Sequence, residues 1–292
     1  MLIVLFGAKG QLGQAFLNDA QWQLFDAVSL NRDDLDVTNC NALNETLDKY
    51  CPDIVINCAA YTKVDNAEID VANCRHANTD AAVNMAKWCA QHGKLFVHFS
   101  TDYVFDGKKQ TPYIETDLTR AINVYGETKR EAEIKIERHC EKFLIFRTSW
   151  LFGFFDSGFF KTMYKRALNQ QPTAVINDQF GSPTSAEELA KLVLILLQRY
   201  QIERVLKYGI YHLAGDRVCS WFDFATQIFT SVSPGYSQLV STLSSPYPGS
   251  LAIRPRYSCL NSALFKRTFH LSVQDPFISV DEAVQRLIRQ EK

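Results

Sequence analysis

The sequence predicts an α/β chain built on a doubly wound parallel sheet, with a smaller mixed lobe after it. Three observations carry that expectation. Apolar runs alternate with helix-patterned segments through the first 150 residues, and those runs are apolar at successive positions, as strands covered on both faces require. The first run also ends in a glycine-rich turn that opens a helix. Residues 1–150 are therefore expected to hold the sheet and residues 151–292 the smaller lobe, with the chain able to cross back into the sheet.

Leu2-Ile3-Val4-Leu5-Phe6 reads as the first buried strand, followed by Gly7-Ala8-Lys9-Gly10-Gln11-Leu12-Gly13 and a helix through Asn18. Strand, glycine turn and helix in this order suit a dinucleotide site of the Rossmann type. Gly7 allows the tight turn, Gly10 lets backbone approach a pyrophosphate, Gly13 lets the helix pack on the strand, and the helix start offers N–H donors. A second strand over 25–30 ends at Asn31-Arg32, where sites for unphosphorylated dinucleotides carry an acidic residue. An amide and a guanidinium favour a ribose 2′-phosphate, hence NADPH with NADH as the weaker cofactor, although Asp33 and Asp34 stand next to them. Asp36-Val37 follows as a wall for adenine.

A helix over 41–50 precedes a strand over 53–57, which closes in Cys58-Ala59-Ala60-Tyr61-Thr62, small residues that leave room for a ligand. One continuous helix is expected over 71–92 and a fourth strand over 95–99. Beyond that strand, Ser100-Thr101-Asp102 puts a hydroxyl where it can hydrogen-bond a carbonyl. A helix from Tyr125 to about residue 140 then places Tyr125 and Lys129 four apart, on one face, where an ammonium would lower the tyrosine's pKa and make it a usable acid or base. A fifth strand covers 143–147. Past Trp150 the pattern loosens into a loop over 153–158, a helix over 160–169, a strand over 173–176 and a polar turn over 177–184. A helix over 185–200 follows, with Ser185 as N-cap and Glu188 at the capping-box position. A last strand over 209–213, a helix over 221–229, a Pro/Ser-rich loop over 244–255 and a helix from residue 280 complete the chain.

Charges nearly cancel, with 31 basic against 32 acidic residues, and no basic stripe stands out, so nucleic acid and anionic membrane are excluded as expected partners. No apolar stretch reaches 18 residues and no leader pattern is visible, which points to the cytoplasm. The eight cysteines are scattered without a Cys-x-x-Cys and the six histidines without metal spacing. Free thiols are expected, and no metal site.

Taken in order, Gly7-x-x-Gly10-x-x-Gly13, Ser100-Thr101-Asp102 and Tyr125-x-x-x-Lys129 resemble the extended short-chain dehydrogenase/reductase superfamily. Val64-Asp65-x-Ala67-Glu68, Ser100-Thr101-Asp102-Tyr103-Val104-Phe105, Asn123-Val124-Tyr125-Gly126-x-Thr128-Lys129, Arg147-Thr148-Ser149-Trp150, Ile176-Asn177-Asp178-Gln179-x-Gly181-x-Pro183-Thr184 and Arg254-Pro255 resemble the dTDP-4-dehydrorhamnose reductases within it. The resemblance implies hydride transfer from NADPH to C4 of a nucleotide-linked 4-keto-6-deoxy sugar, giving dTDP-L-rhamnose. Tyr125 is implied as proton donor, Thr101 as the group that polarises the carbonyl, and Lys129 as partner of both Tyr125 and the nicotinamide ribose. Asp102 and Trp150 are implied sugar contacts, and Arg254 the charge for the diphosphate. Some relatives are dimers bridged by Mg²⁺ through glutamates. Here the first helix reads Gln14-Ala15 while Glu187 persists, so a bridging Mg²⁺ is not expected and monomer and homodimer both stay open. The chain also reads Arg256-Tyr257-Ser258 where the family has Asn before the Ser. Three alternatives stand beside this reading. A 4,6-dehydratase or epimerase is disfavoured, because Tyr103 follows Asp102 where dehydratases place Glu. A reductase of another nucleotide 4-keto sugar and a non-catalytic NADP-binding regulatory homologue complete the set.

Overall fold

The computed structural model describes residues 1–155, 157–235, 238–244 and 250–291. Asp156 and the 245–249 part of the Pro/Ser-rich loop lie outside the described residues. The chain opens as β1 (Leu2–Phe6), α1 (Gln11–Asn18), β2 (Asp26–Leu30), α2 (Cys40–Tyr50) and β3 (Ile54–Asn57). Next come α3 (Val64–Ala67), α4 (Val71–Arg75), a π turn (His76–Asp80), α5 (Ala81–Gln91), β4 (Leu95–Thr101), α6 (Val124–His139) and β5 (Phe143–Thr148). The second half holds β6 (Leu151–Phe152), α7 (Phe159–Leu168), β7 (Thr173–Ile176), β8 (Phe180–Gly181), β9 (Thr184–Ser185), α8 (Ala186–Glu203) and β10 (Gly209–His212). It closes with β11 (Cys219–Ser220), α9 (Trp221–Val232), β12 (Leu239–Thr242), α10 (Ala263–Phe269) and α11 (Pro276–Gln290).

Six strands form one parallel sheet in the order β10-β5-β4-β3-β1-β2. Side chains alternate along each strand, so one apolar run feeds two cores. Ile3, Leu5, Ile54, Ile56, Leu95, Val97, Leu144 and Phe146 face one layer, with Leu12 and Phe16 of α1, the apolar side of α8, and Phe265 and Phe269 of α10. Val4, Phe6, Val55, Phe96, Phe143 and Ile145 face the other, with Leu43 and Leu47 of α2, Met85 and Trp88 of α5, and Ala132 and Ile136 of α6. A third core, with Phe160, Tyr164, Phe224, Phe229, Val284 and Leu287, joins α7, α9 and α11 beside the parallel pair β7 and β12. Strand order reverses between β1 and β3, so the loops after these two strands diverge and leave a crevice above the sheet.

Several expectations need correction. The helix over 71–92 is interrupted by the π turn, which carries the buried Asn78 and Thr79 toward α6. The turn over 177–184 contains β8, and α11 begins at Pro276, earlier than residue 280, behind the Asp275 cap. Ser185 caps α8 by accepting from the Glu188 N–H at 3.2 Å, but its hydroxyl turns to Glu187, and no return bond from Glu188 forms. A complete capping box stands instead on Ser220 and Asp223, ahead of α9. All eight cysteines are free. No helix among the described residues is long and apolar enough to cross a membrane.

Candidate active site

A cleft of about 420 Å³ lies over the reversal point. Gly7, Gly10, Asn31, Arg32, Asp36, Val37, Ala60 and Tyr61 line it, as do Lys9, Leu35, Cys58, Ala59, Asp70 and Asn73. Gly7 has φ +84°, and a Cβ there would lie 2.6 Å from the Ala59 nitrogen, so the turn after β1 packs directly on the turn after β3. A Cβ at Gly13 would fall 2.3 Å from the Gly7 carbonyl oxygen, which fixes how closely α1 approaches β1. At Gly10 a Cβ would meet only that carbonyl, at 3.2 Å, so its open face belongs to the cleft. The α1 ladder begins with Gln14 N–H to Gly10 O at 2.9 Å, and no side chain caps the helix. The backbone amides of Gln11, Leu12 and Gly13 are thus the free donors of a helix start. Glycine turn and uncapped helix together fit the diphosphate of a dinucleotide. The side chains of Gln11 and Leu12 serve otherwise. Leu12 is in the core, and the Gln11 amide oxygen, turned toward Phe152 and Gly153, accepts from both N–H groups at 3.3 Å. Gln11, Leu12, Gly13 and Thr62 are not part of the cleft wall.

At the end of β2, the two acidic neighbours of Arg32 are drawn away from it. Asp33 pairs with Lys9 at 2.5 Å, and Asp34 accepts from the Asn31 backbone at 2.9 Å and from its side chain. Arg32 is exposed on the cleft rim, and among the described residues no carboxylate pairs with it.

The reaction end of the site is built by β4 and α6. Thr101, the last residue of β4, is buried; its hydroxyl faces Asp102 Oδ1 at 3.0 Å and accepts the Tyr103 N–H at 3.2 Å. Asn123 caps α6 by accepting the Gly126 N–H at 2.8 Å, and Glu68 accepts the Val124 N–H at 2.9 Å, which sets the first turn that carries Tyr125. The Tyr125 hydroxyl meets Thr101, and its ring lies edge-on to Tyr103 at 6.0 Å. Burial raises the Tyr125 pKa, with the Thr101 contact opposing. The expected lowering by Lys129 is therefore corrected, since desolvation dominates and the ammonium is engaged elsewhere. Lys129 is 2% exposed, its Nζ lies 3.0 Å from His98 Nε2, and burial brings its pKa down to about 8.

Asp102 is also buried, and burial pushes its carboxyl up to about 6 against hydrogen bonds from Ser258, Ser149 and Thr101. It faces inward to these three hydroxyls and orients Thr101. Trp150 adopts a left-handed backbone (φ +46°) and stacks on Trp221 with centroids 3.6 Å apart. Gly181 lies beneath it, where a Cβ would fall 2.2 Å from the indole. Arg254 is held by Asp65, Nη2 to Oδ2 at 2.5 Å, and Asp65 also accepts the N–H groups of Leu251 and Ala252. The Arg254 pair is the first cause bringing the Asp65 carboxyl down to about 2. Glu187 accepts the Phe154 N–H at 2.8 Å and contacts Ser185.

Sequence reasoning missed the Asp70 and Asn73 wall, the Asp65 anchor and the buried Asn57 and His98. The available signal was a polar residue inside an apolar strand, as His98 is in β4.

The model of the RmlD substrate binding domain family matches residues 1–290. A dTDP-4-dehydrorhamnose reductase of Shigella flexneri is 36% identical over 296 residues, covering 98% of each chain. Among solved structures, a dTDP-4-dehydrorhamnose reductase from Clostridium acetobutylicum superposes with a TM-score of 0.91 at 32% identity, over 99% of this chain and 100% of that one. One from Bacillus anthracis, in complex with NADP, gives 0.88 at 30% identity over 99% of both. With its glycine-turn cleft, its contact of Tyr125 with Thr101 and near full-length similarity to these proteins, the chain belongs to the RmlD family, that of the dTDP-4-dehydrorhamnose reductases.

Proposed function

We propose that this protein reduces the C4 ketone of dTDP-4-dehydrorhamnose to dTDP-L-rhamnose with NADPH. The observation that carries the reading is the contact of the Tyr125 hydroxyl with Thr101, at the carboxyl end of β4 and on the same side of the sheet as the glycine-turn cleft. Bound in that cleft, NADPH supplies the hydride. The free amides at the start of α1 hold its diphosphate, Arg32 its 2′-phosphate, Asp36 and Val37 wall the adenine, and Ala60 and Tyr61 border its path toward Lys129. Tyr125, kept as a phenol by burial, gives its proton to the carbonyl oxygen, and Thr101 orients that oxygen. Trp150 and Arg254 receive sugar and diphosphate. Asp102 enters through Thr101, because its carboxyl is turned inward. In this reading residues 1–150 bind the cofactor and 151–292 the substrate, and the protein works in the cytoplasm without a bridging Mg²⁺, as monomer or homodimer.

The test is NADPH oxidation by the purified protein with dTDP-4-keto-6-deoxy-L-mannose. Tyr125→Phe should lower kcat by about 10²–10⁴-fold with NADPH binding unchanged. Tight NADPH binding with no turnover of any nucleotide 4-keto sugar would refute the enzyme and favour the regulatory homologue. Turnover of another 4-keto sugar alone would move the substrate assignment.

A further inference from the structure

Gln11 belongs to two parts of the site at once. Its backbone amide is one of the free donors at the start of α1, whereas its side chain turns away from the cleft, and the amide oxygen accepts the Phe152 and Gly153 N–H groups at 3.3 Å each. The Phe154 N–H, next in line, goes to Glu187 Oε1 at 2.8 Å, and a Cβ at Gly153 would fall 2.1 Å from Glu187 Oε2. Successive amides of one turn are thus received by two side chains, one at the head of α1 and one at the head of α8. These anchors differ in kind. Glu187 sits on a helix start that Ser185 already caps, but α1 has no side-chain cap, so its first turn takes partners from solvent or from a bound diphosphate.

The segment that Gln11 holds leads straight to the reaction end. Trp150, two residues before Phe152, keeps its left-handed backbone, stacks on Trp221 and accepts the Thr184 N–H at 3.2 Å. Ser149 donates to Asp102 Oδ2, while Oδ1 of the same carboxyl faces Thr101. Beyond the turn, the Arg286 guanidinium lies over the Phe154 ring at 4.0 Å, and Phe159 meets Trp221 at 4.5 Å. At 3.3 Å both Gln11 bonds stand at the long end for N–H···O, so a small shift of the head of α1 strengthens or forfeits the two together.

We propose that Gln11 is a positioning residue that couples the two binding events. A diphosphate held by the first turn of α1 steadies the Gln11 side chain, which steadies the 152–153 backbone and through it Trp150, so cofactor and nucleotide sugar each raise the other's affinity. Such coupling is reciprocal, and its size is the factor by which one ligand tightens the other. The inference rests on the cofactor assignment made above, but its first readout needs no nucleotide sugar.

Amide hydrogen exchange followed by ¹H–¹⁵N NMR should show NADP⁺ alone slowing the Phe152 and Gly153 amides about fivefold or more, and the Phe154 amide, held from α8, by less than about twofold. In Gln11→Ala, and in Gln11→Met, which has a similar length but no amide oxygen, NADP⁺ should leave all three within about twofold. Gln11→Glu keeps an acceptor and should restore the slowing. In titrations with dTDP-L-rhamnose, saturating NADP⁺ should tighten binding about fivefold or more in the wild type and less than about twofold in Gln11→Ala, while Glu187→Ala weakens binding with and without NADP⁺ and keeps the ratio. Wild-type 152 and 153 amides that ignore bound NADP⁺ overturn the proposal whether or not the variants fold, as does slowing that persists in Gln11→Ala. A ratio lost equally in Glu187→Ala overturns it too, since general loosening of the turn would then suffice. Slowing by NADP⁺ in a protein that binds no dTDP-L-rhamnose supports the Gln11 link and refutes the substrate assignment instead.

Discussion

Arg32 owes its availability to its neighbours, since Lys9 and Asn31 engage the two carboxylates that would otherwise compete for the guanidinium. Arg32→Ala should raise KM for NADPH about tenfold or more and leave KM for NADH within about twofold. Equal losses for both cofactors would remove Arg32 from the 2′-phosphate. The positions of such side chains were legible in sequence, because the glycine spacing and the strand end mark where a phosphate must sit. Their electrostatics were not. The i, i+4 spacing of Tyr125 and Lys129 announced a pair, but the sign of the tyrosine shift is set by burial, and Lys129 meets His98, 31 residues away from it in sequence. A thiol such as Cys58 likewise shows its setting only once β3 is placed beside β1.

Among the elements, α3 has an influence out of proportion to its four residues. Asp65 holds Arg254 and the backbone of Leu251 and Ala252, while Glu68, just past its end, holds the start of α6. The helix thus ties the 251–254 segment and the first turn carrying Tyr125 to the same short piece of chain. Asp65→Ala should free the guanidinium and raise KM for the nucleotide sugar about tenfold, with Kd for NADPH unchanged; steady-state kinetics with cofactor titration separate the two. An unchanged KM would detach Arg254 from substrate binding. Neither α3 nor the π turn shows in hydrophobic periodicity, one because it is a single turn, the other because one wide turn barely disturbs a 3.6-residue pattern. The long apolar strands and amphipathic helices were readable because each feeds a layer of core.

For the molecule as a whole, the buried Glu133 and Arg147 pair stands where β10, from late in the chain, joins the sheet beside β5. Arg147 of β5 also meets His212 Nε2 of β10 at 3.2 Å, and Glu115 accepts the His212 N–H at 2.9 Å. Glu133→Gln strands a guanidinium with side-chain exposure of 4%, and a loss of about 3–5 kcal/mol is expected in denaturant unfolding, against near-neutral substitution at exposed ion pairs. The sheet's parallel order was legible from strand and helix alternation, whereas the partner of β5 was not, because β10 is short and follows β5 only after α7, α8 and four short strands. That late strand has a consequence for the protein as it is made. A ribosome finishes β5 well before it reaches β10 and α8, at about 5–20 residues per second. For several seconds the nascent sheet therefore carries an unpaired edge, with Leu144 and Phe146 uncovered on the face that α8 will later cover. This is the interval in which a chaperone would find the chain.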